Sequence, residues 1–237
     1  MSLVEYKIKG QVAVITWNSG ENRFNPDFLN AHITAMAKIE ETSDARVIVI
    51  NSAHEKIWCN GIDLDYLVPL AMAGDKPPLV KFFFLLNDFF KSLLLSPMIT
   101  VACINGHAFA GGAMAACACD YRFMRSDRGF LCVPEVDLGM RFLPGMMALL
   151  KKAVPRHIIT DMVLGGTRLT AEQCQSIGIV EKACHLDNLM DEAKAFAQTK
   201  IKERKVVAAI KRDLNSDVIY MMDTQDPSVI HAGGWNV

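Results

Sequence analysis

The chain has 237 residues, with 25 Lys and Arg against 26 Asp and Glu and a formal net charge of −1. Because 51% of the residues are hydrophobic, the composition excludes intrinsic disorder, and the balanced charge argues against nucleic acid as a partner. No apolar run reaches the ~20 residues of a membrane-spanning helix, so we expect no membrane association. The N-terminus lacks a secretory pattern and the chain ends in Gly-Trp-Asn-Val rather than a peroxisomal address, so a cytoplasmic location is expected.

The first part of the chain alternates predicted strands and helices. Strands are expected over residues 3–9 and 11–17, and a helix is expected to begin at Pro26 with Asn25 as its N-cap. Apolar, β-branched runs predict further strands over residues 46–50, 98–104 and 121–124. An almost wholly apolar helix is predicted around residues 79–95, between the first two of these runs.

The C-terminal half is predicted to be more helical. Its periodicity indicates helices over residues 144–153, 156–164, 170–176 and 187–200. No linker, low-complexity stretch or repeat interrupts the chain. We therefore expect an α/β core over residues 1–190 and a helical C-terminal extension over residues 191–237, both in one domain.

Seven cysteines occur without paired Cys-x-x-Cys motifs or Cys/His ligand spacing. Most of them lie among Ala, Val, Ile and Met, which is typical of buried free thiols in a reducing compartment. We therefore expect neither disulfides nor a metal site. Phosphate-loop, dinucleotide, Gly-x-Ser-x-Gly and His-Glu-x-x-His motifs are also missing from the sequence.

Two segments share the order strand, glycine turn, helix. Gly61 lies in the turn of the first, and Gly111 and Gly112 lie in the turn of the second. Glycine lets a ligand approach the backbone closely, and a helix that begins there points free N–H groups outward. Two such turns facing each other could form an oxyanion hole. Ordinary strand-to-helix turns, with glycine for packing, give the same pattern.

One carboxylate, Glu135, lies in the apolar run over residues 130–139. Desolvation there would raise its pKa toward a range suited to proton transfer, whereas a solvated loop acid would keep an ordinary pKa. Asp137 would share the face of Glu135 in an extended segment, but not necessarily in a turn.

Four motifs in order resemble the crotonase superfamily, the enoyl-CoA hydratase/isomerase fold. They are Asn22-Arg23-Phe24-Asn25; Trp58-Cys59-Asn60-Gly61-Ile62-Asp63-Leu64; the segment from Asn105 to Gly112 followed by Cys119-Asp120; and residues 164–171 with Gly178-Ile179-Val180. The resemblance extends to about residue 200. It implies an α/β fold of the ClpP/crotonase type, a spiral of ββα units with a helical C-terminal region. It also implies an acyl-CoA substrate and a homotrimer or hexamer.

The resemblance also assigns residues to the site. The oxyanion hole falls on the amides of Ile62 and Gly111, and Glu135 falls on the catalytic acid/base. Residues expected to bind substrate are Arg23, Phe24, Asn60, Gly61, Asp63, Leu64, His107, Phe109, Gly112, Pro134 and Gly139. Arg23 is a candidate for the coenzyme A phosphates or an ordinary surface Arg. Phe82, Phe83, Phe84 and Phe89 are candidates for the wall of an acyl tunnel or for plain core packing.

Met114 distinguishes between activities of this superfamily. Hydratases carry a second Glu at this position, whereas an isomerase needs one base only. The resemblance therefore implies isomerisation of 3-enoyl-CoA to trans-2-enoyl-CoA, as in fatty acid β-oxidation, with Glu135 as the sole acid/base. No cofactor is expected, since coenzyme A is part of the substrate. The alternatives are an enoyl-CoA hydratase or another CoA-thioester enzyme, and a non-catalytic acyl-CoA-binding protein.

Overall fold

The computed structural model describes residues 2–234, which contain nine strands. They are β1 (Val4–Lys9), β2 (Val12–Trp17), β3 (Val47–Ser52), β4 (Ile57–Cys59), β5 (Ile99–Ile104), β6 (His107–Phe109), β7 (Tyr121–Arg125), β8 (Leu131–Cys132) and β9 (Lys182–Cys184). The helices are α1 (Pro26–Thr42), α2 (Leu64–Met72), α3 (Lys76–Leu94), α4 (Gly111–Ala118), α5 (Pro144–Ala153), α6 (Arg156–Gly165), α7 (Ala171–Ser176), α8 (Leu186–Thr199), α9 (Arg204–Leu214), α10 (Ser216–Tyr220) and α11 (Asp226–Ala232). A 3₁₀ turn covers Pro134–Val136, and a π turn, Met221–Gln225, joins α10 to α11.

The strands form two sheets. The larger has the order β1-β2-β3-β5-β7-β9, in which β1 pairs antiparallel with β2 and all other pairs are parallel. The smaller has the order β4-β6-β8 and is parallel throughout. The central strands of the larger sheet are buried on both faces, as their continuous β-branched runs predict.

Each repeat of the fold places one strand in the larger sheet, the next in the smaller sheet, and then a helix. The three repeats are β3-β4-α2, β5-β6-α4 and β7-β8 followed by the 3₁₀ turn. The expected spiral of ββα units is therefore confirmed. The repeat also explains how the site is built, because successive turns that leave β4, β6 and β8 lie side by side.

The predicted elements lie close to their observed bounds. The Asn25 side chain caps α1 by accepting from the amide of Phe28 at 3.0 Å, and Thr170 caps α7. The apolar helix predicted at residues 79–95 is α3, which begins three residues earlier. Helix α8 spans the position, residue 190, at which we expect the extension to begin.

The C-terminal segment packs along α3 through buried polar side chains. The Lys211 ammonium donates to the Leu93 carbonyl at 3.0 Å and lies 2.8 Å from the Asp120 carboxylate. The Asn215 amide donates to the Leu94 carbonyl at 2.8 Å. Because each of these groups would be costly to bury unpaired, the contacts fix the position of the last helices on α3. Within the described range, no helix combines the length and hydropathy that crossing a bilayer needs.

Candidate active site

The two glycine turns lie against each other. Gly61 has a φ of 74°, and a Cβ on it would lie 2.6 Å from the amide nitrogen of Gly111. A Cβ on Gly112 would lie 2.3 Å from the carbonyl oxygen of Cys59. Both contacts are shorter than any side chain tolerates, so glycine at these positions is what allows the two turns to approach.

At this junction the N–H groups of Ile62 and Gly111 have no acceptor among the described residues. Phe24 donates its N–H to the Gly61 carbonyl at 2.7 Å and accepts from the Asp63 N–H at 3.0 Å. In this parallel pairing the N–H of Ile62 points away from Phe24. Gly111 is the first residue of α4, so its N–H has no acceptor in the preceding helical turn. The two turns therefore offer two neighbouring N–H donors, the arrangement that an oxyanion hole needs.

Phe24 and Asp63 hold this junction in place. The Phe24 ring is fully buried, stacks 5.7 Å from Phe28, and lies 3.0 Å from the position that a Gly111 Cβ would take. Asp63 caps α2 by accepting from the amide of Asp65 at 3.2 Å, and also accepts from the Asn25 side chain at 3.1 Å. Both residues position the turn, and neither lines the pocket described below.

Glu135 lies in the 3₁₀ turn after β8 with only 7% of its surface exposed. Burial raises the pKa of Glu135 to about 7, and a backbone hydrogen bond acts weakly in the opposite direction. Its Oε2 atom has no hydrogen-bond partner among the described residues. The carboxyl group is therefore free to exchange a proton near neutral pH.

Glu135 lines one pocket together with Ile62 and Gly111, the residues that carry the two free amides. Its walls are formed by Asn60, Ile62, Leu64, Phe83, Leu86, Ala110, Gly111, Met114, Glu135, Leu138, Met140, Arg141, Leu143 and Met146. The lining is mainly apolar, as an acyl chain requires. Met114 of α4, the helix that follows the second glycine turn, contributes a buried thioether to the same pocket. Among residues 2–234, no three His, Cys, Asp or Glu side chains are grouped so as to hold a metal ion.

The structure thus brings together some of the predicted site residues and separates others. Asn60, Ile62, Leu64, Gly111 and Glu135 lie in the pocket lining. The predicted substrate-binding residues that do not line it are Arg23, Phe24, Gly61, Asp63, His107, Phe109, Gly112, Pro134 and Gly139. Gly61 and Gly112 act through backbone packing, as described above. Gly139, with a φ of 64°, closes the turn that follows Glu135.

Arg23 is engaged by acidic side chains. Its Nη2 lies 2.6 Å from Glu21 Oε2, and its Nη1 lies 3.8 Å from Asp65. The hydrogen bond to Glu21 raises the pKa of Arg23 and lowers that of Glu21. The Asn60 amide donates to the same Glu21 oxygen at 3.0 Å. A phosphate group would have to compete with Glu21 for this guanidinium.

His107 lies in β6, outside the pocket lining. The centroid of its ring lies 5.0 Å from that of Phe109 and 5.7 Å from that of Phe130. Burial, followed by the charges of Arg128 and Arg168, lowers the pKa of His107. A lowered pKa suits a ring that packs among aromatic side chains with cations nearby, so the structure supports a packing role for His107 rather than contact with the substrate.

Of the four phenylalanines considered for an acyl tunnel, only Phe83 lines the pocket. Phe82 packs 5.7 Å from Tyr66, and Phe89 packs 4.9 Å from Phe24, both within the core. The Phe84 ring lies 5.5 Å from His231 of α11. Core packing therefore accounts for Phe82, Phe84 and Phe89.

About half of the pocket lining was not predicted from the sequence. The other lining residues are Leu86 of α3, Ala110, Leu138, Met140, Arg141, Leu143 and Met146. Helix α3 is apolar on nearly every face, so its pattern does not reveal which side chains face a cavity. A usable signal was Pro144, which predicts that α5 begins directly after Glu135 and its turn.

Comparisons with known proteins agree with this architecture. The family model described as enoyl-CoA hydratase/isomerase matches residues 7–227, beyond the region that the motifs cover. Enoyl-CoA delta isomerase 3 of Arabidopsis thaliana is 30% identical over 211 residues, 86% of this chain and 87% of that protein. Short-chain-enoyl-CoA hydratase of Clostridium acetobutylicum is 28% identical over 217 residues, 89% of this chain and 81% of that protein.

The fold is shared with solved structures as well. The crystal structure of a probable enoyl-CoA hydratase from Mycobacterium tuberculosis superposes with a TM-score of 0.88 at 20% identity, covering 98% of this chain and 96% of that one. The α/β spiral, the paired glycine turns and the family match point to one conclusion. The chain is a crotonase-fold protein and belongs to the enoyl-CoA hydratase/isomerase family.

Proposed function

We propose that the protein isomerises 3-enoyl-CoA to trans-2-enoyl-CoA. The observation that carries the proposal is the composition of the pocket. Among the described residues that line it, Glu135 is the only carboxylic acid, and Met114 occupies the position at which the resemblance places the second acid of hydratases. One group that both removes and returns a proton suffices to shift a double bond. Hydration by the two-acid mechanism needs a second carboxylate to position and activate water.

In the proposed reaction the thioester oxygen accepts from the amides of Ile62 and Gly111. These donors stabilise the negative charge that develops on the oxygen when the Glu135 carboxylate removes a proton from C2. The electron pair of the C–H bond enters a dienolate. Protonated Glu135 then returns the proton to C4, and the double bond moves from C3–C4 to C2–C3.

The raised pKa of Glu135 suits both halves of this cycle. With a pKa of about 7, the group is partly ionised near neutral pH, so it can act as the base. Once protonated it holds the proton well enough to deliver it, since no described residue donates a hydrogen bond to Oε2 that would stabilise the ionised form. The apolar walls keep water away from the proton during the transfer.

A hydratase is the second candidate, and the relative named short-chain-enoyl-CoA hydratase supports it. The buried, apolar Met114 argues against it, because a thioether cannot take or give a proton. A non-catalytic acyl-CoA-binding protein would have no use for a desolvated acid at the free amides.

The proposal includes no metal or separate cofactor, since the thioester itself accepts the electron pair. Assembly as a homotrimer or hexamer, the cytoplasmic location and the division of the chain at residue 190 stay predictions.

The test is a paired measurement on Glu135→Gln. Glutamine keeps the size of the side chain but cannot accept the proton, so kcat for 3-enoyl-CoA should fall by ~10²–10⁴. The Kd for a saturated acyl-CoA should hardly change, because the oxyanion donors remain. Asp137→Asn is the matched control: Asp137 is exposed, and its carboxylate faces Gly166 rather than the pocket.

Two results would count against isomerisation. One is clear hydration of 2-enoyl-CoA by the unmodified protein without conversion of 3-enoyl-CoA. The other is a Gln variant that keeps more than about a tenth of kcat, which lies outside the usual range for losing an acid/base group. Activity lost equally in the Asp137→Asn control would show that the loop, rather than the proton carrier, had been damaged.

A further inference from the structure

Asp226, at the start of α11, is a fully buried carboxylate that the proposed reaction does not use. Its Oδ1 accepts from the backbone amide of Gly145 at 2.8 Å, and its Oδ2 accepts from the Asn87 side chain at 2.9 Å. Burial raises the pKa of Asp226, and these two hydrogen bonds act in the opposite direction. The carboxylate is therefore held by partners on two other helices.

Both partners belong to helices that contribute side chains to the pocket lining. Asn87 of α3 directly follows Leu86 and lies one helical turn after Phe83, and both of those side chains line the pocket. Gly145 of α5 lies between Leu143 and Met146 in the sequence, and both of these residues line the same pocket. The side chain of Asp226 thus joins two helices that both contribute side chains to the pocket.

The contact with α5 is made at close range. A Cβ on Gly145 would lie 2.5 Å from Met222 Cγ and 2.6 Å from Asp226 Oδ2, so any side chain there would push the C-terminal segment away. The amide that Asp226 accepts from is one of the free N–H groups in the first turn of α5, where a negative charge is favourable. Glycine at 145 and the carboxylate at 226 together set the distance between α5 and the C-terminal segment.

We infer that Asp226 is a positioning residue that fixes the spacing of α3 and α5, and through it how tightly the pocket binds a long acyl chain. The inference rests on the proposed function only in taking acyl-CoA as the ligand. A short acyl group reaches Glu135 and the two amides, which Asp226 does not contact. A long acyl group extends between the side chains of α3 and α5 and depends on their spacing.

The experiment measures Kd for butyryl-CoA and for dodecanoyl-CoA, two saturated esters that cannot react. In Asp226→Ala both hydrogen bonds are lost, and we expect the side chains of α3 and α5 to lose contact with about two methylene groups of the long chain. At the usual increment for burying a methylene, dodecanoyl-CoA should bind roughly tenfold more weakly, while butyryl-CoA changes less than about twofold.

Asp226→Asn should keep the ratio of the two Kd values found in the unmodified protein. Its carbonyl oxygen accepts from the Gly145 amide, and its amide can donate to Asn87 Oδ1, which has no partner among the described residues, once Asn87 reverses its own amide. Asp223→Ala is the matched control from the same segment: Asp223 is exposed and pairs with Lys91 of α3 at the surface. Its ratio of the two Kd values should equal that of the unmodified protein.

Asn87→Ala covers the case in which Asp226→Ala does not fold. It keeps the hydrogen bond to Gly145 and frees α3 alone, so the ratio should shift in the same direction. A folded Asp226→Ala or Asn87→Ala protein that keeps the original ratio, or that loses both esters equally, would overturn the inference. If the unmodified protein binds both esters but does not isomerise 3-enoyl-CoA, the proposed reaction fails and the positioning role stands. If it binds neither ester, both fail.

Discussion

The buried carboxyl group of Glu135 predicts a stability difference that depends on pH. Its pKa rises from 4.5 to about 7 on folding, because burial disfavours the ionised form. Between these two values the folded state holds a proton that the unfolded state has released. Stability must therefore fall as the pH rises through this window. Replacing Glu135 with Gln removes the titration, so the variant should gain stability over the unmodified protein as the pH rises.

The magnitude follows from the two pKa values. At about 1.4 kcal/mol for each tenfold change in proton affinity, ionising the folded protein costs about 3 kcal/mol above pH ~7 and nothing below pH ~4.5. The Gln amide also leaves a buried donor unpaired, which subtracts about 1–3 kcal/mol at every pH. The test is therefore how the difference in unfolding free energy between the Gln variant and the unmodified protein changes with pH, rather than how large it is at any one pH.

The assay is urea unfolding of both proteins, followed by circular dichroism, at several pH values from about 5 to about 8.5. The difference in unfolding free energy should move by about 2–3 kcal/mol in favour of Gln across this range, which corresponds to roughly 4–12 °C in Tm for a chain of this size. Glu5→Gln, at an exposed position of β1, is the control and should show no such trend. A difference that stays flat with pH would mean that Glu135 is solvated, and a difference that moves toward Glu would mean that an unseen cation pairs with it.

Three further predictions concern the two turns. Ile62→Pro deletes the amide assigned to the thioester oxygen, so kcat should fall by ~10²–10³ in protein shown to be folded, and near-normal kcat would remove Ile62 from the site. Ala110 has a φ of 51° and a ψ of −125°, a conformation that suits glycine, so Ala110→Gly should raise the free energy of unfolding by about 1 kcal/mol, and a loss would mean that the turn is unstrained. Met114→Glu should give low but measurable hydration of 2-enoyl-CoA at reduced stability, and no hydration at all would place residue 114 away from the reacting carbons.

Much of this architecture could be predicted from the sequence because its signals are local. The β-branched runs of the central strands, the Asn25 cap and the glycine turns depend on neighbours a few residues away. The strands of the smaller sheet were not predicted, because β4, β6 and β8 have three residues or fewer and show no periodicity. The pairing of Arg23 with Glu21 competes with a role in phosphate binding, and no spacing rule reveals which way a surface side chain turns.

The contacts of Asp226 were beyond the sequence for a different reason. Its partners, Asn87 and Gly145, lie 139 and 81 residues away along the chain. An acid at the start of a helix is normally explained by the helix itself, since a negative charge is favourable there. Only the packing of α11 against α3 and α5 shows that the carboxylate serves other helices instead.

Two features of the pocket oppose folding, and both lie where the chemistry is proposed. Glu135 is buried with one oxygen unpaired, and Ala110 takes a strained conformation directly before the Gly111 amide. Strain and desolvation of this kind persist when a functional site requires them, so they mark this pocket as the functional site. They also bear on which reaction is catalysed. A hydratase must admit water beside its acids, whereas a proton that leaves C2 and returns to C4 is best kept on one carboxyl group out of contact with water. A single buried acid in a mainly apolar pocket, lined also by the thioether of Met114, meets the second requirement, and this favours the proposed isomerisation.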